Sequence, residues 1–144
     1  MLNSGEGKLW RRVRRLSEED RPTSSWIAES EEGLLVVKTF CNHEAVLVGT
    51  LERLARLRHP NLPEYWPLIH SQNAVHLVRP FYDGVDLRGR SVERRVWRSW
   101  AETLLEVLAT VHADGLRHGD LKPSNVILTE GRLVLVDPSY DQDC

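Results

Sequence analysis

The sequence predicts an α+β fold in which a small antiparallel sheet comes first and helix dominates afterwards. Three patterns predict it. Leu34 to Phe40 (L-L-V-V-K-T-F) is rich in β-branched residues and follows Gly33, as a turn feeding a buried strand does. Ser91 to Ala113 repeats apolar residues at helical spacing. Val126 to Leu128 and Leu133 to Val136 are short apolar runs flanking Glu130-Gly131-Arg132, a hairpin signal.

In chain order, Trp10 to Leu16 (W-R-R-V-R-R-L) reads as an exposed strand anchored by Trp10, Val13 and Leu16. Its arginines also suit a nucleic-acid patch, but Glu18, Glu19 and Asp20 follow at once and cancel the local field. From about His43 to Arg58, Leu47, Leu51, Leu54 and Leu57 share one helical face. That helix must stop before His59-Pro60-Asn61, because proline disfavours helical geometry in the residue before it. Tyr65 to His70 and Ala74 to Val78 read as short strands joined by Ser71-Gln72-Asn73, and Pro80 to Gly89 as a connector. In the long helix Val96, Trp97, Trp100, Leu104, Leu105, Val107, Leu108 and Val111 form a broad apolar face, with Ser91 the expected N-cap and Gly115 the stop.

Composition narrows the function classes. At 144 residues, with 41% hydrophobic and 28% charged residues, the chain suits one globular domain with its own core. A net charge of −2 gives no global attraction to nucleic acid. Cys41 and Cys144 lie far apart and form no C-x-x-C pair, which disfavours a disulfide framework or zinc site and fits a reducing cytoplasm. No apolar run is long enough for a membrane span or a signal-peptide core, so no membrane partner is expected.

The chemistry concentrates in His118-Gly119-Asp120-Leu121-Lys122-Pro123-Ser124-Asn125. A carboxylate accepts the proton of an attacking hydroxyl, a lysine two residues on neutralises charge on a moving phosphoryl group, and an asparagine oxygen holds Mg²⁺. Asp137, at the end of the second hairpin strand, completes an oxygen-ligand set for a divalent cation. Lys38 by itself reads as an ordinary edge-strand lysine, and His59, His112 and His118 read as packed structural histidines.

H-G-D-L-K-P-S-N, led in by V-H-A-D-G-L-R and followed by V-I-L and L-V-L-V-D, resembles the catalytic loop of protein kinases. W-R-R-V-R-R-L, V-V-K, L-A-R-L-R-H-P-N-L and L-V-R-P-F-Y-D-G-V-D-L resemble that family's first strand, nucleotide-lysine strand, helix end and hinge, in the same order, from about Trp10 to Ser139. The resemblance implies a sheet lobe with one helix over about residues 8–78, a hinge and connector over 79–90, and a truncated helical lobe carrying the catalytic-loop hairpin over 91–144, within a single domain. It also implies ATP and Mg²⁺ as cofactors. Asp120 would be the catalytic base, Lys122 would sit near the γ phosphate, and Asn125 and Asp137 would be metal ligands. Lys38 would contact the α and β phosphates, the carbonyl of Pro80 and the backbone of Tyr82 would meet the adenine edge, and Val36 and Ile127 would close over its two faces. D-x-K-P-x-N is closer to the serine/threonine kinases than to the tyrosine kinases.

Four departures bear on catalysis. Ser17 to Ser25, where the family has a glycine-rich phosphate cover, contains no glycine. Thr50 stands where the family's helix glutamate pairs with the strand lysine, and Glu52 falls on another face of the helix. Pro138-Ser139 replaces Phe-Gly after Asp137, and Gly119 replaces the arginine before the base. Only seven residues follow Asp137, so no substrate platform is expected. An active minimal kinase, a nucleotide-binding pseudokinase, one half of a small-molecule phosphotransferase (H-G-D occurs there too) and a truncated gene product all fit. The 91–113 helix, with Trp97, Trp100 and Leu104 on its apolar face, is expected to meet a protein partner or a second copy of the chain.

Overall fold

A computed structural model describes residues 2–3, 9–16, 23–41 and 44–140. The secondary structure runs β1 (Leu2–Asn3), β2 (Leu9–Arg15), β3 (Thr23–Ser30), β4 (Gly33–Phe40), α1 (Ala45–Arg56), β5 (Ile69–Ser71), β6 (Ala74–Pro80), β7 (Val85–Asp86), α2 (Arg94–Ala113), β8 (Val126–Thr129) and β9 (Arg132–Leu135). The chain divides into two compact units. One comprises the residues up to Arg56 together with Glu64–Phe81, and the other Leu57–Pro63 with Tyr82–Tyr140.

The first unit is a six-stranded sheet of order β1-β2-β3-β4-β6-β5 with α1. All its pairings are antiparallel. The β-branched run of β4 sits in the middle, between β3 and β6, where it is paired on both edges. Alternation along the strand puts Leu35 and Val37 on the face that packs with Trp10, Ala28, Ile69 and Val78, and Trp66 closes that cluster. The rings of Trp10 and Trp66 lie 5.8 Å apart and tilted. Each fully buried aliphatic side chain here contributes on the order of 1.5–3 kcal/mol of transfer free energy.

The strand beginning at Leu9 differs from its expected anchoring. Trp10 is buried, but Val13 and Leu16 are 56% and 46% exposed. The pairing of β2 with β3 shifts register between Arg12 and Arg14, so Val13 falls in a bulge that breaks the alternation its apolar character suggests. The arginines of this strand meet the chain's own residues: Arg12 stacks 4.6 Å from the ring of Trp26, and Arg11 pairs with Glu29 at 2.9 Å.

Helix α1 buries Leu47, Leu51, Leu54 and Ala55 and packs on β6. It ends at Arg56, so Leu57 lies beyond it. His59 instead organises a turn, accepting the Asn61 N–H at Nδ1 (3.0 Å) while its carbonyl accepts the Leu62 N–H (3.0 Å). The strand expected from Tyr65 starts only at Ile69; Pro67, which lacks an N–H, lies in between.

In the second unit β7, β8 and β9 form an antiparallel sheet. The β8–β9 hairpin turns on Glu130 and Gly131, with φ of 48° and 77°, the left-handed pair that a two-residue turn requires. Strand β7 lies inside the expected connector. It is too short to show periodicity, and it is held where a Cβ on Gly84 would collide with the Leu128 carbonyl and where the Thr129 hydroxyl donates to the Asp83 carbonyl at 2.6 Å. Helix α2 starts at Arg94 rather than after Ser91, because its first hydrogen bond runs from the Trp97 N–H to the Glu93 carbonyl. It ends as predicted: Gly115 (φ 72°) donates to His112 and Leu116 to Val111, the bond pair of a glycine-terminated helix. Val107 and Val111 are fully buried, whereas Trp97 is 41% and Leu105 66% exposed. Trp100 and Leu104 are half-buried.

Candidate functional site

The loop between α2 and β8 is held from inside by His118. Its Nε2 lies 2.8 Å from the Val136 carbonyl and its Nδ1 3.2 Å from the Asp120 N–H. A carbonyl only accepts and an amide only donates, so these two bonds are met by the tautomer carrying its proton on Nε2. The histidine is buried, as a structural residue should be, and it fixes the backbone on which Asp120 stands.

Three residues singled out in the sequence converge there. Asn125 is buried, and its Nδ2 donates both to the Asp120 carbonyl (2.9 Å) and to Asp120 Oδ2 (3.0 Å). Lys122 Nζ lies 3.3 Å from the same Oδ2. Asp120 therefore has its carboxylate oriented by an amide on one side and neutralised by an ammonium on the other. It stays partly open to solvent, with 39% of its side chain exposed, so the ion pair contributes only about 0–1 kcal/mol. A short 3₁₀ turn, Pro123–Asn125, sets this spacing: Pro123 begins it, and the Asn125 N–H closes it on the Lys122 carbonyl at 2.9 Å.

Asp137 follows Val136, whose carbonyl binds His118 and whose N–H binds the Asn125 carbonyl at 2.9 Å. Asp137 takes φ 56°, a left-handed conformation that aspartate tolerates better than most residues. Among the described residues no group of three or more His, Cys, Asp and Glu side chains forms a metal cage. The donors present suit a magnesium ion that takes one or two protein oxygens and completes its shell from phosphate and water. The Asn125 amide fits this role: with both N–H directions given to Asp120, its Oδ1 remains as an acceptor.

The segment after Asp137 closes on the same loop. Ser139 N–H donates to the His118 carbonyl at 2.8 Å. Gly119 has φ 80°, and a Cβ there would collide with the Ser139 carbonyl oxygen. Glycine at this position is thus required by its own backbone and by the approach of Ser139. No side chain as large as arginine fits while Ser139 sits there.

The other predicted residues are placed as follows. Lys38, half-buried in β4, holds its Nζ 5.6 Å from the Phe40 ring centroid. Val36 is buried two residues earlier on the same face. Thr50 lies on α1 with its hydroxyl donating to the Val46 carbonyl at 2.9 Å, so it offers Lys38 no carboxylate. Glu52 reaches His70 at 4.0 Å. Pro80 ends β6 opposite Leu35. Ile127, half-buried in β8, pairs with Asp86 and Val134, and half-buried Tyr82 has Arg132 over its ring at 5.6 Å. The glycine-free stretch falls largely on residues 17–22, which lie outside the described residues.

One residue was not anticipated. Arg79 is buried and pairs in register with Val36, which puts its side chain on the sheet face of Val36 and Lys38. Its Nη1 donates to the Pro80 carbonyl at 3.2 Å, the oxygen assigned to the adenine edge. The spacing offered a signal, since Leu77 and Arg79 alternate with the core residue Val78, but a charge there reads from sequence as a surface residue.

Comparison with known proteins identifies the family and the fold. The sequence profile of the protein kinase domain matches residues 30–138, well over half of the chain. The chain is 35% identical over 79 residues to calcium-dependent protein kinase 24 of Arabidopsis thaliana, covering 51% of this chain and 14% of that one. It is 29% identical over 111 residues to the MAP kinase kinase kinase wis4 of Schizosaccharomyces pombe, covering 74% of this chain and 8% of that one. It therefore spans less than a fifth of the length of these relatives. The crystal structure of the Mycobacterium tuberculosis PknI kinase domain superposes with a TM-score of 0.71 at 21% identity, covering 96% of this chain and 61% of that domain. That likeness establishes a kinase-like fold, a sheet lobe followed by part of the helical lobe. With the catalytic-loop sequence, the fold and the family profile in agreement, the chain belongs to the protein kinase domain family.

Proposed function

We propose that this chain is an ATP- and Mg²⁺-binding phosphotransferase domain that acts on serine or threonine hydroxyls of a protein. The observation that carries this reading is the cluster in which Asn125 and Lys122 both meet Asp120 Oδ2. Asp120 is oriented to accept a hydroxyl proton at its carboxylate, and Lys122 is at hand to balance negative charge beside it. Asn125 holds Asp120 through Nδ2 and presents Oδ1, which with Asp137 forms the metal-binding pair. When bound, Mg·ATP supplies the phosphoryl group and most of the compensating charge. Lys38 is assigned to the phosphates, Val36 and Ile127 to the faces of the base, and Pro80 and Tyr82 to its edge. A cytoplasmic location is part of the proposal and rests on the cysteine usage. Association through α2 is also part of it, supported by the exposure of Trp97 and Leu105.

A nucleotide-binding regulator without turnover is the second reading. It is favoured by the Ser139–His118 bond, which closes the segment after Asp137 onto the loop. One experiment separates the two. A ligand at a hundredfold excess over its dissociation constant stabilises by about 2.7 kcal/mol, so ATP with Mg²⁺ should raise the unfolding midpoint of the wild type. Asp137→Asn should lose that stabilisation. Asp120→Asn should keep it and lose phosphate release. Equal stabilisation in EDTA or in Asp137→Asn refutes the metal-bridged mode, and stabilisation without phosphate release by the wild type selects the regulator.

A further inference from the structure

Between Leu87 and Trp100 the chain carries Arg88, Arg90, Arg94, Arg95 and Arg98, and the structure divides them into two sets. Arg88 forms a forked pair with Asp86, with Nε at 3.0 and 3.1 Å and Nη2 at 3.0 Å from the carboxylate oxygens, and Arg90 Nε donates to the Asp86 carbonyl at 3.2 Å. Arg88 thus already has its anion, and Arg90 is held by a backbone carbonyl. Arg94, Arg95 and Arg98 line one open cavity of about 350 Å³ at the start of α2. Among the described residues none of the three side chains makes a hydrogen bond or an ion pair.

The placement works against the helix. Arg94 and Arg98 are like charges one turn apart, at the end of the helix dipole that repels cations. No acid occupies the first turn, and Glu93 makes no side-chain cap bond. All three arginines are exposed, and together they line a single open concavity. Guanidinium is the side chain that grips phosphate with paired N–H donors, and a phosphomonoester dianion matches a triply cationic cavity better than one carboxylate does. The cavity is larger than a lone phosphate needs and falls at the small end of ligand pockets, so it has room for flanking groups. Trp97, between Arg94 and Arg98 on the helix, is 41% exposed and edge-on to Trp100 at 5.4 Å. It offers an apolar surface beside the cationic one.

We propose that Arg94, Arg95 and Arg98 form a docking site for a phosphorylated serine or threonine of a protein segment, with Trp97 receiving a neighbouring apolar side chain. The site is separate from Asp120, Asn125 and Asp137 and does not rest on phosphoryl transfer by this chain. It gives the chain a way to recognise a protein by its phosphorylation state.

The test uses the full chain and a fluorescent peptide library with one fixed phosphoserine and degenerate flanks, read by polarisation beside its unphosphorylated counterpart and a single-stranded oligonucleotide. The phosphopeptide library should bind at least about tenfold more tightly than the unphosphorylated one, a gap that paired charge-assisted bonds to phosphate readily supply. Arg95→Gln and Arg94→Gln/Arg98→Gln should each weaken binding about tenfold or more with unfolding midpoints unchanged or raised. Arg98→Lys, which keeps the charge and loses the fork, should fall between the wild type and these variants. The nucleotide-induced stabilisation should be the same in all these variants. Equal binding of the two libraries, no phosphopeptide binding, tighter binding of the oligonucleotide, or indifference to the arginine substitutions each overturns the proposal.

Discussion

Replacing Gly119 by alanine tests whether the segment after Asp137 is fastened to the loop between α2 and β8. The residue sits at φ 80°, where a side chain crowds its own backbone, and its new Cβ would meet the Ser139 carbonyl oxygen. Left-handed backbone costs an L-residue about 1–2 kcal/mol. Relief of the collision requires Ser139 to move, which breaks its 2.8 Å bond to the His118 carbonyl and costs about 0.5–1.5 kcal/mol more. The sum, about 1.5–3.5 kcal/mol, corresponds to a fall of roughly 5–10 °C in unfolding midpoint for a chain of this size. Gly119→Arg, which restores the residue usual in the family, should lose at least as much. Urea and thermal unfolding of both variants measure it. Gly119→Ala within about 0.5 kcal/mol of the wild type refutes the reasoning, because neither the strain nor the contact would then be present.

Two further outcomes follow from buried polar groups. His76 bonds the hydroxyls of Thr39 (2.9 Å) and Ser71 (3.1 Å), and burial, reinforced by the charges of Arg12 and His70, holds its imidazole below the ordinary 6.5. The unfolded chain then binds the proton first, so stability should fall as pH drops from 6.5 to the folded value and level off below it; His76→Gln should flatten this slope in urea midpoints measured across that range. Tyr140 is pushed up to about 12, chiefly by burial and against the pull of Arg117, and its hydroxyl has no hydrogen-bond partner among the described residues. Tyr140→Phe should leave stability unchanged or raise it by up to about 1 kcal/mol, and a clear loss would show that the hydroxyl is bonded.

Elements with a sustained period were legible in the sequence. Leu47, Leu51 and Leu54 marked α1, the apolar face ending at Val111 marked α2, and Gly115 marked its stop. The loop from His118 to Asn125 was legible because its residues are close in sequence, and the 3₁₀ turn carries that closeness into space. What escaped depends on partners distant along the chain. Whether Val13 is inside or outside is decided by a bulge against β3, and β7 exists only because β8 lies beside it. Gly119 read as a lost arginine. Its reason lies in Ser139, which no local pattern connects to it. Arg79 drew no expectation, because alternation reveals a face but not what covers it.

Asn61 has a consequence for how the chain can be cut. Strand β9 is the last in its sheet, and its outer edge would otherwise expose unpaired backbone groups, an invitation to pairing with other molecules. Asn61 stands in for the missing neighbour. Its carbonyl accepts the Leu135 N–H at 2.9 Å, its side-chain amide donates to the Leu133 carbonyl at 2.8 Å, and Arg132 reaches the Pro60 carbonyl beside it. The residues that shield this edge are encoded between α1 and β5, far from the hairpin they shield. A fragment begun at Tyr82 would keep every strand of the second sheet and lose the cover on its rim, so it would be adhesive where the intact chain is not. The second unit thus takes part of its own edge cover from the segment between α1 and β5.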